Sequence, residues 1–256
     1  MEAVHRVHVA ATDGRTFGDA ELVCYLRSSS KPIQAIPFVE GYAELDDDEV
    51  AIACASHHAE PAQLDAVRKV LARAGATVDD LENGLQEGRP EGKLGHNCSG
   101  KHAGMLAACR AHGWPLHPYR SPEHPLQQRV AALVGDAEIG IDGCGVPTFA
   151  LPLSRMCDVF LQTPERIRAA MVARPELVGG IGSADTELMR ARPGWFAKGG
   201  AEGLFCVSDG TNAWAFKVED GASRGLRPAL AQVLGVDEFR EVDVRNSRGE
   251  VVGSIS

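Results

Sequence analysis

The sequence contains a serine and a lysine whose spacing suits acyl-transfer chemistry. Ser28 and Lys31 stand three residues apart, so a helix through them would place both side chains on one face. Pro32 indicates a helix start, because proline is tolerated in the first turn, where its missing N–H would have had no partner. A buried lysine can lose its proton near neutral pH and act as general base for a neighbouring hydroxyl. The alternative is an N-cap serine followed by a solvated lysine.

Two further polar stretches carry groups of the same kind. Ser56 and His57 follow the apolar run 50–54, and a hydroxyl and an imidazole at the end of a buried strand suit either a site or an exposed turn. Lys198 begins the glycine-rich stretch 198–203, which could line a cleft with backbone N–H groups facing a bound acyl oxygen. The alternative for this stretch is a glycine-rich loop with an exposed lysine.

Cysteine residues provide a candidate metal site. Cys98 and His102 stand four residues apart, a spacing that can present two ligands to zinc on one helix. A third ligand could come from Cys144, which lies between two glycines in a tight turn. The alternative for either cysteine is a buried structural thiol, since cysteine is among the residues most often found inside proteins. The spacing leaves both interpretations open.

Composition and charge restrict the class of partner. The chain has 256 residues, of which 44% are hydrophobic and 24% charged, as in ordinary soluble globular proteins. Its net charge of −9 disfavours nucleic acid and anionic membrane surfaces, since both attract a basic protein surface. A small molecule is the better hypothesis. The segment 1–6 carries no basic leader, and no apolar run is long enough to span a bilayer. The seven cysteines form no CxxC pair. From these three observations we expect a cytoplasmic protein.

Hydrophobic patterning predicts strands near both ends of the chain and helices between them. The predicted strands are 5–11, 20–26, 50–54, 204–208, 213–219 and 250–256, the first two joined as one hairpin and 204–208 with 213–219 as another. The predicted helices are 61–73, 97–113, 126–133, one that starts at 163–165, 184–190 and 229–234. Small residues along 97–113 would let that helix pack very close to its neighbours. The pattern predicts an α+β fold in which the terminal strands join one antiparallel sheet beside a helical lobe, with a site in the cleft between them.

Five blocks of the sequence occur in a recognisable order. They are Arg27-Ser28-x-x-Lys31-Pro32-x-Gln34-Ala35, Ser56-His57, Cys98-Ser99-Gly100-Lys101-His102, Asp142-Gly143-Cys144-Gly145-Val146-Pro147 and Lys198-x-Gly200-Ala201-Glu202-Gly203. Together they resemble the asparaginase family typified by the thermolabile rhizobial enzyme. The resemblance implies a single asparaginase domain over 1–256. It also implies a fold similar to serine β-lactamases and penicillin-binding proteins, with an antiparallel sheet, flanking helices and a helical lobe, in a homodimer.

The resemblance implies hydrolysis of L-asparagine to L-aspartate and ammonia through two serine–lysine pairs. These are Ser28 with Lys31 and Ser56 with Lys198. We expect Ser28 to be the nucleophile and Lys31 its base, with the second pair relaying a proton to the departing nitrogen. The segment 13–25 looks shorter than in other members, so an edge strand there is expected to be absent or altered.

The resemblance also implies a zinc ion held by Cys98, Lys101 and Cys144. The set is unusual, because a lysine amine must be neutral to coordinate a metal. His102 would then be a neighbour of the zinc, whereas its spacing alone had made it a candidate ligand.

Selectivity for a free amino acid requires groups that bind its two charges. We expect Arg27 to pair with the α-carboxylate of the substrate and Asp142 with its ammonium. The alternatives are a glutaminase, a β-lactam or peptide hydrolase with the same serine–lysine chemistry, and a non-catalytic module that binds an amino acid or zinc.

Overall fold

Antiparallel sheets form the framework of the fold. The computed structural model describes residues 3–256; Met1 and Glu2, part of the segment searched for a leader, lie outside the described residues. The strands are β1 (Val7–Ala11), β2 (Val23–Tyr25), β3 (Glu138–Ile141), β4 (Pro147–Pro152), β5 (Phe196–Gly199), β6 (Leu204–Ser208), β7 (Ala213–Val218), β8 (Val242–Arg245) and β9 (Val251–Ile255). They form a four-stranded sheet of order β1-β7-β6-β5, a three-stranded sheet of order β2-β4-β3 and a hairpin of β8 and β9.

Helices flank these sheets, so the predicted α+β class with antiparallel sheets is confirmed. The α-helices of the described residues are α1 (Lys31–Gln34), α2 (Ile36–Glu40), α3 (Asp47–Ala53), α4 (Pro61–Ala74), α5 (Ser99–His112), α6 (Pro125–Val134), α7 (Leu153–Leu161), α8 (Glu165–Ala173), α9 (Pro175–Gly179), α10 (Ala184–Ala191) and α11 (Leu226–Leu234). Helix α7 packs against the four-stranded sheet, and α3, α4 and α5 pack against one another. One continuous buried core joins the sheets to the helices.

Helix α5 approaches α3 unusually closely, as its small residues predicted. A Cβ atom on Gly100 would lie 2.2 Å from the carbonyl oxygen of Ile52, and one on Gly104 would lie 3.0 Å from the Cβ of Ala53. Real Cβ atoms do not approach a backbone oxygen this closely, so glycine is required at the first position. The contact brings the C-terminal end of α3 next to the first turn of α5.

The predicted strand at 50–54 is wrong, because these residues lie in and directly after α3. Asp46 caps this helix by accepting a hydrogen bond from the N–H of Glu49, while the Glu49 carboxylate accepts one from the Asp46 N–H. Residues 50–53 are buried on every side, since α4, α5 and α8 all pack against α3. A short apolar run buried all round carries no periodicity that would distinguish a helix from a strand.

The predicted N-terminal hairpin is also wrong. Strand β1 pairs with β7, and β2 pairs with β4 in the other sheet. An isolated bridge between Val9 and Phe17, and a hydrogen bond from the N–H of Asp19 to the His8 ring, join the segment after β1 back to it. The buried face of β1 therefore finds its partner in β7, where Val9 lies opposite Phe216.

Of the two terminal strands, only the first joins the main sheet. Strand β9 pairs with β8 alone, through a turn closed by the hydrogen bond from the N–H of Gly249 to the carbonyl of Asn246. This local turn lets the C-terminal residues pair within their own segment, and their mostly exposed side chains do not drive them into the core. The hairpin of β6 and β7 and the helices predicted from 61, 97, 126, 163–165, 184 and 229 are confirmed, within a few residues at their ends. No helix within residues 3–256 has the length and apolar character needed to cross a bilayer.

Candidate functional site

A short 3₁₀ turn, Arg27–Ser30, carries the first serine and runs directly into α1. Pro32 stands in the first turn of α1, so the predicted helix start is confirmed. Arg27 adopts a left-handed backbone conformation with φ of 46°, which is strained for a side chain of this size. Its N–H donates to the hydroxyl of Thr148 at 3.0 Å, which fixes the turn against β4. Ser28 is half-buried at the centre of this turn.

Strained backbone recurs beside the other predicted stretches. Among residues 3–256, the non-glycine residues with positive φ are Arg27, Ala59 and Glu202. Ala59 follows the serine–histidine stretch, and Glu202 lies in the glycine-rich stretch that begins at Lys198. Conformations of this kind cost about 1–3 kcal/mol each and tend to cluster at active sites and ligand-binding sites.

The Lys31 side chain is completely buried and supplies the site's most perturbed amine. Its Nζ donates to the Ser56 hydroxyl at 3.0 Å and to the backbone carbonyl of Ala55. Burial lowers the pKa of Lys31 from 10.5 to about 8, because the ammonium form loses its hydration. Neither partner is charged, so a substantial fraction of this amine is neutral just above neutral pH.

The hydrogen bonds of the serines and lysines differ from the expected pairs. Lys31 contacts Ser56, whereas the hydroxyl of Ser28 makes no hydrogen bond with any residue from 3 to 256. Lys198 donates to a carboxylate rather than to Ser56. The physical reason is the direction of the buried Lys31 side chain, which reaches inward to the end of α3 instead of back over its own turn.

Lys198 forms a buried ion pair that the sequence did not indicate. Its Nζ donates to Oδ1 of Asp185 at 3.1 Å and to the carbonyl of Gly199 at 2.8 Å. Asp185 lies in the first turn of α10, after the N-cap Ser183. An acidic residue there is common in any helix, so the sequence carried no signal for this role. Ser29 donates to the Lys198 carbonyl at 2.9 Å and so ties the 3₁₀ turn to β5.

His57 is a neutral, structural histidine in this arrangement. Its Nε2 lies 2.8 Å from the Ser99 hydroxyl, which itself donates to the carbonyl of Leu94, so the network assigns the ring proton to Nε2. Its Nδ1 accepts from the N–H of Ala59 at 3.1 Å. Burial lowers the pKa of His57 to about 3. The neighbouring His58 is exposed. Of these two adjacent histidines, His57 therefore contacts α5 through Ser99, and His58 lies at the surface.

Cys98, Lys101 and Cys144 meet in the interior, as the expected zinc site requires. Lys101 Nζ donates to the sulfur of Cys144 at 2.9 Å, and all three side chains are buried. A hydrogen bond from the Cys144 thiol holds the pKa of Cys98 well below its ordinary value, and the Lys31 and Lys101 charges act in the same direction. Burial acts to lower the pKa of Lys101, but the sulfurs of Cys144 and Cys98 raise it overall.

This donor set fits zinc in its chemistry. Two cysteine sulfurs are preferred zinc ligands, and the lowered pKa of Cys98 favours the thiolate form that binds the metal. The lysine would have to release its proton on binding. Within residues 3–256 no group of three His, Cys, Asp or Glu side chains is arranged to hold a metal, so any site here depends on the lysine as its third donor.

His102 lies on α5 one turn after Cys98 and contacts a tyrosine. The Tyr119 hydroxyl, which accepts from the N–H of Glu82 at 2.8 Å, lies 2.7 Å from Nδ1 of His102. The other ring nitrogen is buried and has no hydrogen-bond partner among the described residues. The tyrosine contact fixes the ring beside the three proposed zinc ligands.

Arg27 and Asp142 form an ion pair at the mouth of the site. Arg27 Nε donates to Oδ1 of Asp142 at 2.6 Å, and the same oxygen accepts from the N–H of Gly143. This arrangement leaves the two Nη groups of Arg27 and Oδ2 of Asp142 without hydrogen bonds to residues 3–256.

A cleft of about 400 Å³ opens beside this ion pair. It includes Arg27, and its other polar and small lining residues include Tyr25, Glu138, Ala201, Glu202 and Lys217. A larger cleft of about 1240 Å³ lies between β1, α11 and the hairpin of β8 and β9. The smaller cleft reaches the candidate site through Arg27 but is lined by none of Ser28, Lys31, Ser56 and Lys198, and the larger one is lined by none of the predicted site residues.

The fold and the site define an α+β protein in which buried lysines lie beside serine and carboxylate oxygens. The family model of L-asparaginase II matches residues 1–256, the whole length of the chain. The protein therefore belongs to the L-asparaginase II family, which confirms the resemblance to the rhizobial-type enzymes and supports an asparaginase-type amidohydrolase activity. A search of the curated proteins finds no match.

Proposed function

We propose that this protein hydrolyses the side-chain amide of L-asparagine to L-aspartate and ammonia. The observation that carries the proposal is the buried Lys31 amine, with a pKa of about 8, donating to the Ser56 hydroxyl at 3.0 Å and lying three residues from Ser28. Such an amine can be neutral near physiological pH and can remove a hydroxyl proton, which a serine nucleophile requires. Membership of the L-asparaginase II family favours the amide of asparagine as the substrate.

In this mechanism Ser28 is the nucleophile, since its hydroxyl makes no hydrogen bond within residues 3–256 and can turn towards a substrate. Lys31 accepts the Ser28 proton while the serine oxygen bonds to the amide carbon. The proton then passes from Lys31 through the Ser56 hydroxyl to the nitrogen, the C–N bond breaks, and ammonia leaves a β-aspartyl ester on Ser28. Water next gives a proton to Lys31 as its oxygen attacks the ester. Lys31 then returns this proton to the Ser28 oxygen as the ester C–O bond breaks, so aspartate departs and the Ser28 hydroxyl and the neutral amine are restored.

Positive charge near the amide oxygen would stabilise the tetrahedral intermediates. Lys198 lies close enough to Lys31 that its charge helps to lower the pKa of Lys31, so it is a candidate for this role. Backbone N–H groups of the glycine-rich stretch 198–203 are further candidates. In well-studied enzymes one such donor contributes roughly 3–4 kcal/mol.

The Arg27–Asp142 pair is the proposed binding site for the charged end of the substrate. The free Nη groups of Arg27 can bind an α-carboxylate in a bidentate manner, and Oδ2 of Asp142 can accept from the ammonium. One ion pair thus offers both charges that a free amino acid needs. A substrate without these groups would lose both contacts.

Zinc is the cofactor that the resemblance implies, with Cys98, Lys101 and Cys144 as the residues that would hold it. When bound, it would supply a fixed positive charge next to the turn that carries Asp142. Its binding should release protons, chiefly from the Lys101 amine and the Cys144 thiol.

The test is ammonia release from L-asparagine by the purified protein, with L-glutamine and a β-lactam run alongside. Ser28→Ala should abolish release while a Ser247→Ala control, in the exposed turn between β8 and β9, retains it. Mass spectrometry of acid-quenched protein should find the aspartyl adduct on the peptide containing Ser28. An adduct on Ser56 would reassign the nucleophile. Faster turnover of glutamine or of the β-lactam would make that compound the proposed substrate in place of asparagine. Binding of asparagine without ammonia release would indicate a non-catalytic module.

Three further features belong to the same proposal. The fold is proposed to be related to serine β-lactamases and penicillin-binding proteins, with residues 1–256 forming one domain. The protein is proposed to act as a homodimer, which light scattering coupled to gel filtration would test. A cytoplasmic location suits the seven cysteines, all of which lie in the described part of the chain as free thiols.

A further inference from the structure

The two buried lysines of the site lie in opposite electrostatic environments. Within residues 3–256, the Lys31 amine donates hydrogen bonds to a hydroxyl and a backbone carbonyl, neither of which is charged. The Lys198 amine, only 1% exposed, forms an ion pair with the carboxylate of Asp185. When two titratable groups in one site have environments that differ in this way, they are suited to different roles, one as a neutral base and the other as a fixed charge.

Asp185 is held in place by contacts beyond the ion pair. Its Oδ1 also accepts a hydrogen bond from the N–H of Gly199 at 2.7 Å. Ser183 caps α10 by accepting from the N–H of Thr186, which fixes the first turn in which Asp185 lies. The carboxylate therefore joins the start of α10 to the end of β5 and is itself held in place as the partner of the Lys198 amine.

We infer that Asp185 is the positioning residue that fixes the place of the Lys198 amine through their ion pair, so that Lys31 alone serves as the base. Lys198 then acts by its charge and transfers no proton. This inference rests on the proposed function, but the ion pair itself can be examined without any substrate. Asp185 is not part of the five blocks that carry the family resemblance.

Asp185→Asn is the sharpest variant, because the amide oxygen can still accept from the Gly199 N–H while the charge is lost. Glu187→Gln is the matched control, since it removes a carboxylate from the same helix that pairs with Arg227 at the surface. Thermal unfolding of both variants checks that the fold is retained. We expect Asp185→Asn to lower kcat for asparagine at least tenfold with KM changed by less than about threefold, and Glu187→Gln to remain within about twofold of the wild type.

A second background separates positioning from a merely structural effect. If Asp185 acts through Lys198, then Asp185→Asn should cause no further loss of kcat in a Lys198→Gln protein, where the charge is already absent. An equal loss in both backgrounds would overturn the inference. So would an unchanged kcat in the single variant.

Nitrogen-15 NMR of the lysine side chains provides a readout that does not need activity. The wild type should show a slowly exchanging ammonium signal, assigned to Lys198 by its disappearance in Lys198→Gln, and Asp185→Asn should lose or strongly shift it. The Glu187→Gln protein should retain the signal. If the wild type releases no ammonia from any amide, the proposed function fails while this signal still decides the inference. Absence of the signal in a folded wild type would overturn it.

Discussion

Replacing Lys31 by methionine should stabilise the protein while abolishing its activity. Methionine has a similar length and no charge. Burial lowers the pKa of Lys31 from 10.5 to about 8, and this difference corresponds to roughly 3 kcal/mol of folding free energy at neutral pH. Methionine removes that cost, but it leaves the buried carbonyl of Ala55 and the Ser56 hydroxyl without their donor, which costs about 1–2 kcal/mol. The net expectation is a gain of about 1–2 kcal/mol at neutral pH.

The gain should depend on pH in a defined direction. Between about pH 8 and pH 10.5 the unfolded chain still binds the Lys31 proton and the folded protein does not, so the wild type becomes more stable as the pH rises through this window. Below pH 8 both states hold the proton and the full cost is present. The advantage of the methionine variant should therefore be largest near neutral pH and should shrink by up to about 1.4 kcal/mol per pH unit above 8.

Urea unfolding followed by circular dichroism would measure this difference at about pH 7 and about pH 9.5. Comparing variant with wild type at each pH cancels the titration of other groups. Lys93→Met is the matched control, because its amine also donates to a backbone carbonyl, that of Asp79, but at the surface. A stability difference for Lys31→Met that is the same at both pH values would refute the claim that burial depresses this pKa. Residual ammonia release by the variant would refute its assignment as the base.

Three further predictions follow from the site and its packing. For wild-type protein, kcat/KM for asparagine should rise about tenfold per pH unit below pH 8 and level off above it, because Lys31 must be neutral to act as a base. A flat profile from about pH 6 to pH 9 would contradict this prediction. Gly100→Ala should lower the free energy of unfolding by about 2 kcal/mol or more, since the added methyl group would meet a backbone oxygen at 2.2 Å. In the same urea assay Gly253→Ala should have a much smaller effect, because its Cβ would have its nearest contact at 4.0 Å. Cys98→Ser should remove stoichiometric zinc measured by atomic emission, whereas Cys109→Ser, within α5 but outside the three proposed ligands, should retain it.

Patterning predicted most of the helices because each carries its own local signal. The helix 61–73 shows apolar periodicity with a terminal glycine, and α5 was predicted from 97–113. The strand predicted at 50–54 was wrong because burial on every side removes the periodicity that identifies a helix. The capping residues Asp46 and Glu49 just before this run nevertheless indicate a helix start. The pairing of β1 with β7 depends on contacts more than 200 residues apart, which no local pattern encodes.

The roles of the candidate site residues remain predictions, and several contacts between them differ from those that the sequence suggested. The trio of Cys98, Lys101 and Cys144 is brought together from two distant segments, as the resemblance implied. The hydrogen bond from Lys31 to Ser56 was not expected, because sequence spacing considers only residues on the same turn. Asp185 had no signal at all, since an acid in the first turn of a helix is ordinary.

The construction of the site shows why its neighbours are glycine and small residues. A buried lysine with uncharged partners is costly, and a left-handed conformation at Arg27 adds to that cost. Such features persist only where the surrounding structure fixes them. The close contact of α5 with α3 through Gly100 provides this rigidity, because it locks the end of α3, and therefore Ser56, against the first turn of α5. The same contact places Cys98 just before that turn, so the packing that holds the lysine's partner also holds the proposed zinc ligands. The proposed catalytic and metal groups are thus coupled through backbone packing, and a change at this one glycine should disturb both.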